Sequence, residues 1–270
     1  MAGVLTGGQM LGEELDKHRR IIWALIMRES ATRYGRDNLG FLWVIAEPLF
    51  FAIGVSIMWS LIKGPVEHGM RVVPFVITGY MPLVLFRNTI GHVLHAFSAN
   101  SGLLYHRQIT PLHLYIGRFC MEAIGATCGF ALIVMVLLLL GLMDPPKNLM
   151  DVGLIFVGWF LLAWITFGLA MIMAALAQLF EFVERIAQII TYLMLPLSGT
   201  FYMASWLPAK GRDAILHLPF LHCWEIIRSG FFGEFITVYY NVPYVIAWAV
   251  GFTLLGLILL QFVRGSVEVE

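Results

Sequence analysis

Charged residues are scarce in this sequence. Only 13% of the 270 residues are charged and 60% are hydrophobic, which excludes an ordinary soluble domain. The 17 basic and 17 acidic residues give a formal net charge of zero, so the charge does not indicate nucleic-acid binding. Cys120, Cys128 and Cys223 show no CxxC spacing, and we interpret them as packing residues. The composition therefore indicates a membrane protein.

The usual catalytic motifs are also missing. No stretch matches the phosphate-binding pattern GxxxxGK[ST], so we predict that the chain does not hydrolyse ATP itself. No GxSxG or HExxH pattern supports an intramembrane hydrolase. His92 and His95 share one helix face, but we interpret them as polar residues near the inner end of a span, and not as metal ligands. We therefore predict a non-enzymatic chain with no cofactor or metal of its own.

Long apolar runs make up most of the remaining sequence. A helix that crosses about 30 Å of hydrocarbon needs about 20 residues at 1.5 Å per residue. Alternating strand patterns are absent, so helices must satisfy the backbone groups in lipid. We predict an all-α membrane protein with six transmembrane helices, at residues 41–62, 74–97, 119–143, 152–180, 183–203 and 243–263.

The placement of Lys and Arg predicts the orientation. Ten of these residues fall on the side that holds both termini and six on the other, so both termini are predicted to be cytoplasmic. No signal-peptide pattern is apparent, and we expect the first span to direct insertion. We divide the chain into a cytoplasmic amphipathic interface segment (1–40), a six-span domain (41–263) and a cytoplasmic tail (264–270).

Two further segments have distinctive patterns. Residues 13–29 place apolar side chains three or four apart among basic residues, which predicts an interfacial amphipathic helix. Residues 204–242 are too long for a turn and too polar for a full span. We predict that this loop is re-entrant on the outer side, with two short helices broken near Pro219.

Four segments resemble parts of one transporter family. They are residues 33–51, 74–90, 101–118 and 218–234. In the first, the pattern is carried by Arg33, Tyr34, Leu39, Gly40, Trp43 and Pro48. In this order and spacing they resemble ABC-2 type exporter permeases. Over nearly its whole length the chain is similar to the membrane subunits of capsular polysaccharide exporters, the KpsM-like group.

The resemblance implies a permease that moves lipid-linked capsular polysaccharide across the bacterial inner membrane. Two copies would form a homodimer driven by two cytoplasmic ATPase subunits that hold the ATP and Mg. Periplasmic and outer-membrane export proteins would be further partners. The alternatives are an O-antigen or teichoic-acid exporter permease and an ABC-2 small-molecule efflux permease. An ion-coupled carrier is a different class, and it has little support because only Glu47 and Glu122 lie inside apolar windows.

The connection 98–118 is the sizeable inner loop after the N-terminal segment. Its row of apolar residues beside an arginine predicts a short coupling helix that docks into an ATPase groove. The amphipathic segment is expected to anchor to anionic lipid, and the resemblance adds an ATPase contact. The predicted ATPase-coupling residues are Leu103, Leu104, Tyr105, Arg107, Arg33 and Tyr34.

Arg87 and Asn88 lie about 20 Å along the second predicted span, where a charge should face protein or a wet path. Arg87 either contacts an anionic sugar or lipid phosphate, or pairs with Glu122 or Glu47. Aromatic residues of the outer loop either stack on sugar rings or form an interfacial belt. Glu225 and Arg228 have the spacing of a pair. The predicted substrate-path residues are Arg87, Asn88, Trp224, Glu225, Arg228, Phe231 and Phe232.

Overall fold

The computed structural model describes residues 7–34, 39–103, 109–233 and 236–267, which are mostly helical. The helices are α1 (Gly7–Tyr34), α2 (Leu39–Lys63), α3 (Val72–Leu94), α4 (Pro111–Leu139), α5 (Leu149–Leu179), α6 (Phe182–Leu197), α7 (Ala209–Ile215), α8 (Pro219–Phe232) and α9 (Val242–Val267). Short 3₁₀ helices cover Ser98–Leu103 and Ala204–Trp206. Strands β1 (Val66–Glu67) and β2 (Met70–Arg71) form an antiparallel hairpin. We call the end of the bundle with this hairpin and α7 the outer end, and the opposite end the inner end.

Four helices of the described ranges are long and apolar enough to cross a membrane. They are Val72–Leu94, Pro111–Leu139, Leu149–Leu179 and Val242–Val263. Helix α2 contributes a shorter apolar stretch, Leu49–Ile62, and α6 has 16 residues, about 24 Å of helix. The prediction of a helical membrane protein is therefore confirmed, and the count of six spans stays a prediction.

Local capping sets the beginnings of α4 and α5. The backbone N–H of Thr110 donates to Nδ1 of His113 at 3.0 Å, and Pro111 occupies the first turn of α4. The backbone N–H of Asn148 donates to the Asp151 carboxylate at 3.1 Å at the start of α5. Helix α4 thus begins before the predicted window 119–143, because hydropathy detects the apolar part of a helix and not its cap.

The hairpin between α2 and α3 was not predicted. Its turn residues His68 and Gly69 have φ values of 50° and 80°, and consecutive positive φ angles are typical of a tight hairpin turn. The His68 ring stacks on Trp206 at 4.3 Å between centroids. Two strands of two residues are too short to show an alternating pattern.

Helix α3 is the central helix of the bundle. Eighteen of its 23 residues are buried, and it contacts α2, α4, α5, α6 and α8. Helix α9 instead exposes large apolar side chains, among them Leu254 and Ile258. Polar groups on α3 must therefore face other helices or a cavity between them.

Glycines allow α5 to pack closely against α8 and α9. A Cβ on Gly158 of α5 would lie 2.8 Å from Ile227 of α8. A Cβ on Gly168 of α5 would lie 2.9 Å from Phe252 of α9, and one on Gly230 of α8 would meet the α5 backbone. Small residues at such contacts let helix backbones approach in a membrane protein.

Helix α8 lies inside the bundle. Thirteen of its 14 residues are buried, and it packs against α5, α9 and α3. The two predicted helices of the outer loop are present as α7 and α8, and the break comes just before Pro219. The re-entrant position of this pair relative to the membrane stays a prediction.

Candidate functional site

Helix α1 is fastened to the inner end of the bundle by polar contacts. The guanidinium of Arg118 in α4 lies 2.5 Å from the Glu29 carboxylate in α1, and both side chains are largely buried. Arg28 donates to the side chain of Asn100, which is buried in the 3₁₀ helix Ser98–Leu103. We call these contacts between α1, the 3₁₀ helix and α4 the inner junction.

A histidine pair extends the inner junction. Nδ1 of His18 and Nε2 of His113 lie 2.6 Å apart. Because Nδ1 of His113 accepts the Thr110 N–H, a neutral His113 carries its proton on Nε2 and donates it to His18. His18 and Glu29 are separated by about 16 Å along α1, so α1 is held to α4 at two levels.

The predicted ATPase-coupling residues have different outcomes in the structure. Leu103 ends the 3₁₀ helix and is partly buried against the core. Leu104, Tyr105 and Arg107 lie outside the described residues. Arg33 and Tyr34 are in the last turn of α1, where the structure describes the helix only. The coupling role stays a prediction for this set.

A cavity of about 430 Å³ lies between the inner halves of α3 and α6, and we call it the inner cavity. Helix α3 contributes Arg87, Gly91 and His95 to its lining. Helix α6 contributes Glu184, Arg185, Gln188, Thr191 and Tyr192. Its volume is within the range of small-molecule sites, about 300–1,000 Å³. The lining contains two guanidinium groups, one carboxylate and the His95 ring.

Arg87 and Asn88 are both half-buried on α3, as expected for polar residues deep in a span. The Asn88 carbonyl accepts from Nδ1 of His92 at 2.9 Å. A carboxylate oxygen of Glu122 lies 3.1 Å from the same nitrogen. His92 therefore connects α3 to the buried Glu122 of α4.

Arg228 is fully buried in α8 at the outer end. Its guanidinium donates to the carbonyls of Gly199, Thr200 and Tyr202 at 2.5, 2.6 and 2.7 Å. The guanidinium carbon also lies 4.0 Å from the centroid of the Phe75 ring, in a cation–π contact. One side chain thus holds the turn after α6 against α8 and α3.

Neighbouring side chains of α8 complete this arrangement, which we call the outer cluster. Glu225 accepts the backbone N–H of Ala204 at 3.0 Å and of Tyr239 at 3.1 Å. The indole of Trp224 donates to the Gly79 carbonyl of α3 at 2.8 Å. Among the described contacts no ion pair within 4 Å joins Glu225 to Arg228, and each side chain binds backbone groups. The two opposite charges still attract each other, so their pairing stays a prediction.

The two phenylalanines at the end of α8 also pack internally. Phe231 lies edge to face with Phe130 of α4 at 5.9 Å between centroids. Phe232 is buried with Met70, Phe75 and Met203. In the single chain the predicted outer path residues therefore have internal partners, and their contact with substrate stays a prediction.

His222 connects the outer cluster to the start of α9. Its Nε2 lies 2.9 Å from the Leu216 carbonyl, and its Nδ1 accepts the Asn241 N–H at 3.2 Å. This arrangement fits a neutral ring with its proton on Nε2. Burial lowers the pKa of His222 from its ordinary value of 6.5, which agrees with the neutral form.

Comparison with known proteins identifies the family. The model of the ABC-2 type transporter family matches residues 20–232, most of the chain and nearly all the elements described above. The chain belongs to this family. Membership implies a membrane setting and an ATPase partner for this permease.

Full-length relatives give a more specific likeness. The permease is 34% identical to the capsule polysaccharide export inner-membrane protein BexB of Haemophilus influenzae, over 92% of this chain and 93% of BexB. It is 34% identical to CtrC of Neisseria meningitidis serogroup A, a protein of the same description, over 94% of this chain and 95% of CtrC. The polysialic acid transport protein KpsM of Escherichia coli is 22% identical over 87% of this chain and 90% of KpsM. The resemblance to capsular exporter permeases is confirmed.

Sequence reasoning missed the partners in all three polar regions. Glu29, Arg118 and Asn100 form no recognisable sequence motif, because they are far apart along the chain. Arg185 shares the inner cavity with Arg87, and no sequence pattern predicts that the two residues meet. These groupings depend on which helix faces meet, and spacing within one helix cannot indicate that.

Proposed function

We propose that this chain is the permease subunit of an ATP-driven exporter that moves lipid-linked capsular polysaccharide across the inner membrane. The observation that carries the proposal is the 34% identity to two capsule export proteins, over more than nine tenths of both chains in each comparison. A match that covers more than nine tenths of both proteins supports a shared plan, and not merely one shared segment.

The proposed assembly contains two copies of the chain and two cytoplasmic ATPase subunits that bind ATP and Mg. Each chain has six spans, with α2 and α6 as the first and fifth, and cytoplasmic termini. Helices α7 and α8 form a re-entrant element, and periplasmic and outer-membrane export proteins continue the path. The basic residues on the inner side support this orientation.

The inner junction supports a route for mechanical coupling. An ATPase that contacts α1 and residues 98–108 would displace α4 together with α1, because the Glu29–Arg118 pair joins the two helices. The hydrogen bond from Arg28 to Asn100 joins α1 to the 3₁₀ helix that follows α3, so this helix would move with α1 and α4. We propose that Leu103, Leu104, Tyr105, Arg107, Arg33 and Tyr34 belong to this ATPase-facing region.

Gene deletion in the native host tests the proposal. We expect the deletion to remove capsule from the cell surface and to leave polymer inside the cell, and expression of the wild-type chain to restore export. Surface and internal polymer are measured by immunoblot, and the lipopolysaccharide ladder is measured in the same cells. Unchanged surface polymer would refute the proposal. Loss of the ladder alone would favour an O-antigen permease.

A charge exchange tests the coupling route. We expect Glu29→Arg and Arg118→Glu each to lower export and the ATPase activity of the co-purified complex. The double exchange restores the ion pair and is expected to recover part of both activities. Lys210→Glu on α7 is the control, since this side chain is exposed and α7 lies at the outer end, away from α1.

A further inference from the structure

We infer that the contact between His18 and His113 is a proton-sensitive latch between α1 and α4. The latch holds the N-terminal half of α1 while both imidazoles are neutral, and it releases this half when His18 gains a proton. The Glu29–Arg118 ion pair keeps the other half of α1 attached. The geometry of the histidine pair carries the latch itself, whereas its effect on transport rests on the proposed function, in which α1 is part of the coupling route.

The two facing nitrogens have room for one proton between them. Nδ1 of His18 and Nε2 of His113 are 2.6 Å apart, so one nitrogen must donate and the other accept. A proton added to Nδ1 of His18 would set two N–H groups against each other. His113 could avoid this by moving its own proton to Nδ1, but that nitrogen accepts the Thr110 N–H at 3.0 Å in the cap of α4. Protonation of His18 therefore costs either the bond between the helices or the cap.

The surroundings of the pair place the added proton on His18. The His18 side chain is 50% exposed, and its Nε2 lies 4.0 Å from the Glu14 carboxylate, one turn earlier on α1. His113 is 4% exposed and lies in the first turn of α4, where the helix dipole disfavours a positive charge. A protonated His18 can turn towards water and Glu14 at little cost, and His113 then keeps its capping role. Release of the latch is therefore the cheaper of the two outcomes.

The charged groups around the pair are balanced in sign on α1. Within five residues of His18 the exposed charged side chains are Glu13, Glu14, Asp16, Lys17, Arg19 and Arg20, three of each sign. On α4, Arg118 lies 2.5 Å from Glu29 of α1. Helix α3, which packs against α4, carries Arg87, His92 and His95. The charged side chains of α2 lie outside the described side chains.

The two histidines of α3 respond to acid in the opposite direction. Nδ1 of His92 lies 3.1 Å from the Glu122 carboxylate of α4, and Nδ1 of His95 lies 3.7 Å from the Glu184 carboxylate of α6. A proton on either ring strengthens its attraction to a carboxylate, whereas a proton on His18 removes a hydrogen bond. Acid therefore loosens α1 from α4 without loosening α3 from α4 or α6, so the effect is local to α1.

The position of the latch along α1 lets the helix pivot. Residues 12–20 are all exposed, and among their described polar contacts only the one from His18 reaches another helix. The second attachment, Glu29, is about 16 Å further along α1. Leu25 packs beside Gly117 of α4 between the two attachments. Release of His18 therefore frees the N-terminal half of α1, and the rest of the helix stays on α4.

Pulsed electron–electron double resonance on the purified full-length chain in phosphatidylcholine nanodiscs tests the latch. Spin labels are attached at Leu15→Cys on α1 and Ile124→Cys on α4, two exposed positions, in a chain whose Cys120, Cys128 and Cys223 are replaced by alanine. Chains labelled at one position only supply any distances between two copies. The distance distribution is recorded at pH 7.5, at pH 5.5 and again after return to pH 7.5.

We expect the share of a longer distance to rise about threefold or more at pH 5.5, because imidazoles gain their charge between pH 8 and 5, and to fall again on return. His18→Gln should keep the shorter distance at both pH values, since its amide oxygen accepts the His113 N–H and carries no charge. His18→Lys supplies a permanent cation and should show the longer distance already at pH 7.5. His95→Gln is the matched control, and it should respond to pH as the wild type does.

Three results would overturn the inference: an unchanged distance in the wild type, a wild-type response in His18→Gln, or loss of the response in His95→Gln. His113→Gln is a second check, because glutamine can take over the cap of α4, and it should also lose the response. Gel filtration confirms that each variant is folded. His18→Gln keeps the test valid if the buried His113 cannot be replaced, since the His18 side chain is half exposed.

The effect on transport is measured separately. The ATPase activity of the co-purified complex should fall less between pH 7.5 and 6 with His18→Gln than with the wild type. The same fall in both complexes would refute control of coupling by the latch. The distance measurement needs neither the ATPase nor the polymer, so its failure is distinct from a failure of the gene deletion that tests the proposed function.

Discussion

The inner cavity and the outer cluster each contain an arginine in the middle of the bundle, but the two side chains have different surroundings. Arg228 donates to three backbone carbonyls and lies over an aromatic ring, so its charge is held inside the chain. Arg87 lies on the wall of a cavity that a second guanidinium also lines. Arg228 joins segments of backbone to one another, whereas Arg87 is only half-buried and lies beside open space.

The sharpest way to break this comparison is to remove one arginine charge from each region, in separate variants, and to measure stability. We expect Arg228→Gln to lower the free energy of unfolding by about 3 kcal/mol or more, because three carbonyls lose a charged donor. Arg185→Gln, at the exposed mouth of the cavity, should cost less than about 1 kcal/mol. The thermal unfolding midpoint of the purified chains measures both. Equal losses would contradict the distinction between the two regions.

Two glycines of α3 provide a matched pair. A Cβ on Gly79 would collide with the Thr200 carbonyl and lie 2.5 Å from Nη2 of Arg228, whereas Gly91, on the cavity wall, has open space. We expect Gly79→Ala to destabilise the chain by about 1–3 kcal/mol through overpacking. Gly91→Ala should be neutral or stabilise by up to about 1 kcal/mol, because alanine favours a helix. Circular dichroism during heating checks whether the two substitutions change the stability in opposite directions.

The outer cluster should also respond to acid through His222. Its folded pKa lies below 6.5, so the unfolded chain binds more protons and stability falls as the pH drops below 6.5. We expect His222→Gln to have a shallower fall than wild type between pH 6.5 and 5, measured by thermal unfolding. The exposed His217, changed to Gln, should keep the wild-type slope. The same slope in all three chains would contradict the role of His222.

The smallest expected effect is at the mouth of the inner cavity. The Glu184 carboxylate lies 3.7 Å from the His95 ring, and both side chains are about half exposed. We expect Glu184→Gln to lower the free energy of unfolding by less than about 1 kcal/mol. Glu181→Gln removes an exposed carboxylate that does not line the cavity, and it should change the stability less. Thermal unfolding measures both, and a larger loss for Glu181→Gln would contradict a role of the contact between α3 and α6.

The sequence by itself determined the class of the protein and much of its plan. Apolar runs of membrane length predicted four helices that the structure contains, because the thickness of the hydrocarbon and the rise of a helix fix the length of a span. Four sequence segments, in their order along the chain, indicated the ABC-2 family. Pro219 marked the break before α8.

Only the tertiary structure decided which polar residues meet. Glu225 and Arg228 share a helix at pairing distance, yet each binds backbone from another segment, because burial leaves those carbonyls and N–H groups without water. Arg87 and Arg185 are nearly 100 positions apart and line one cavity, because α3 and α6 pack side by side. Spacing along a chain describes one helix face, and the contacts between faces depend on how the helices pack.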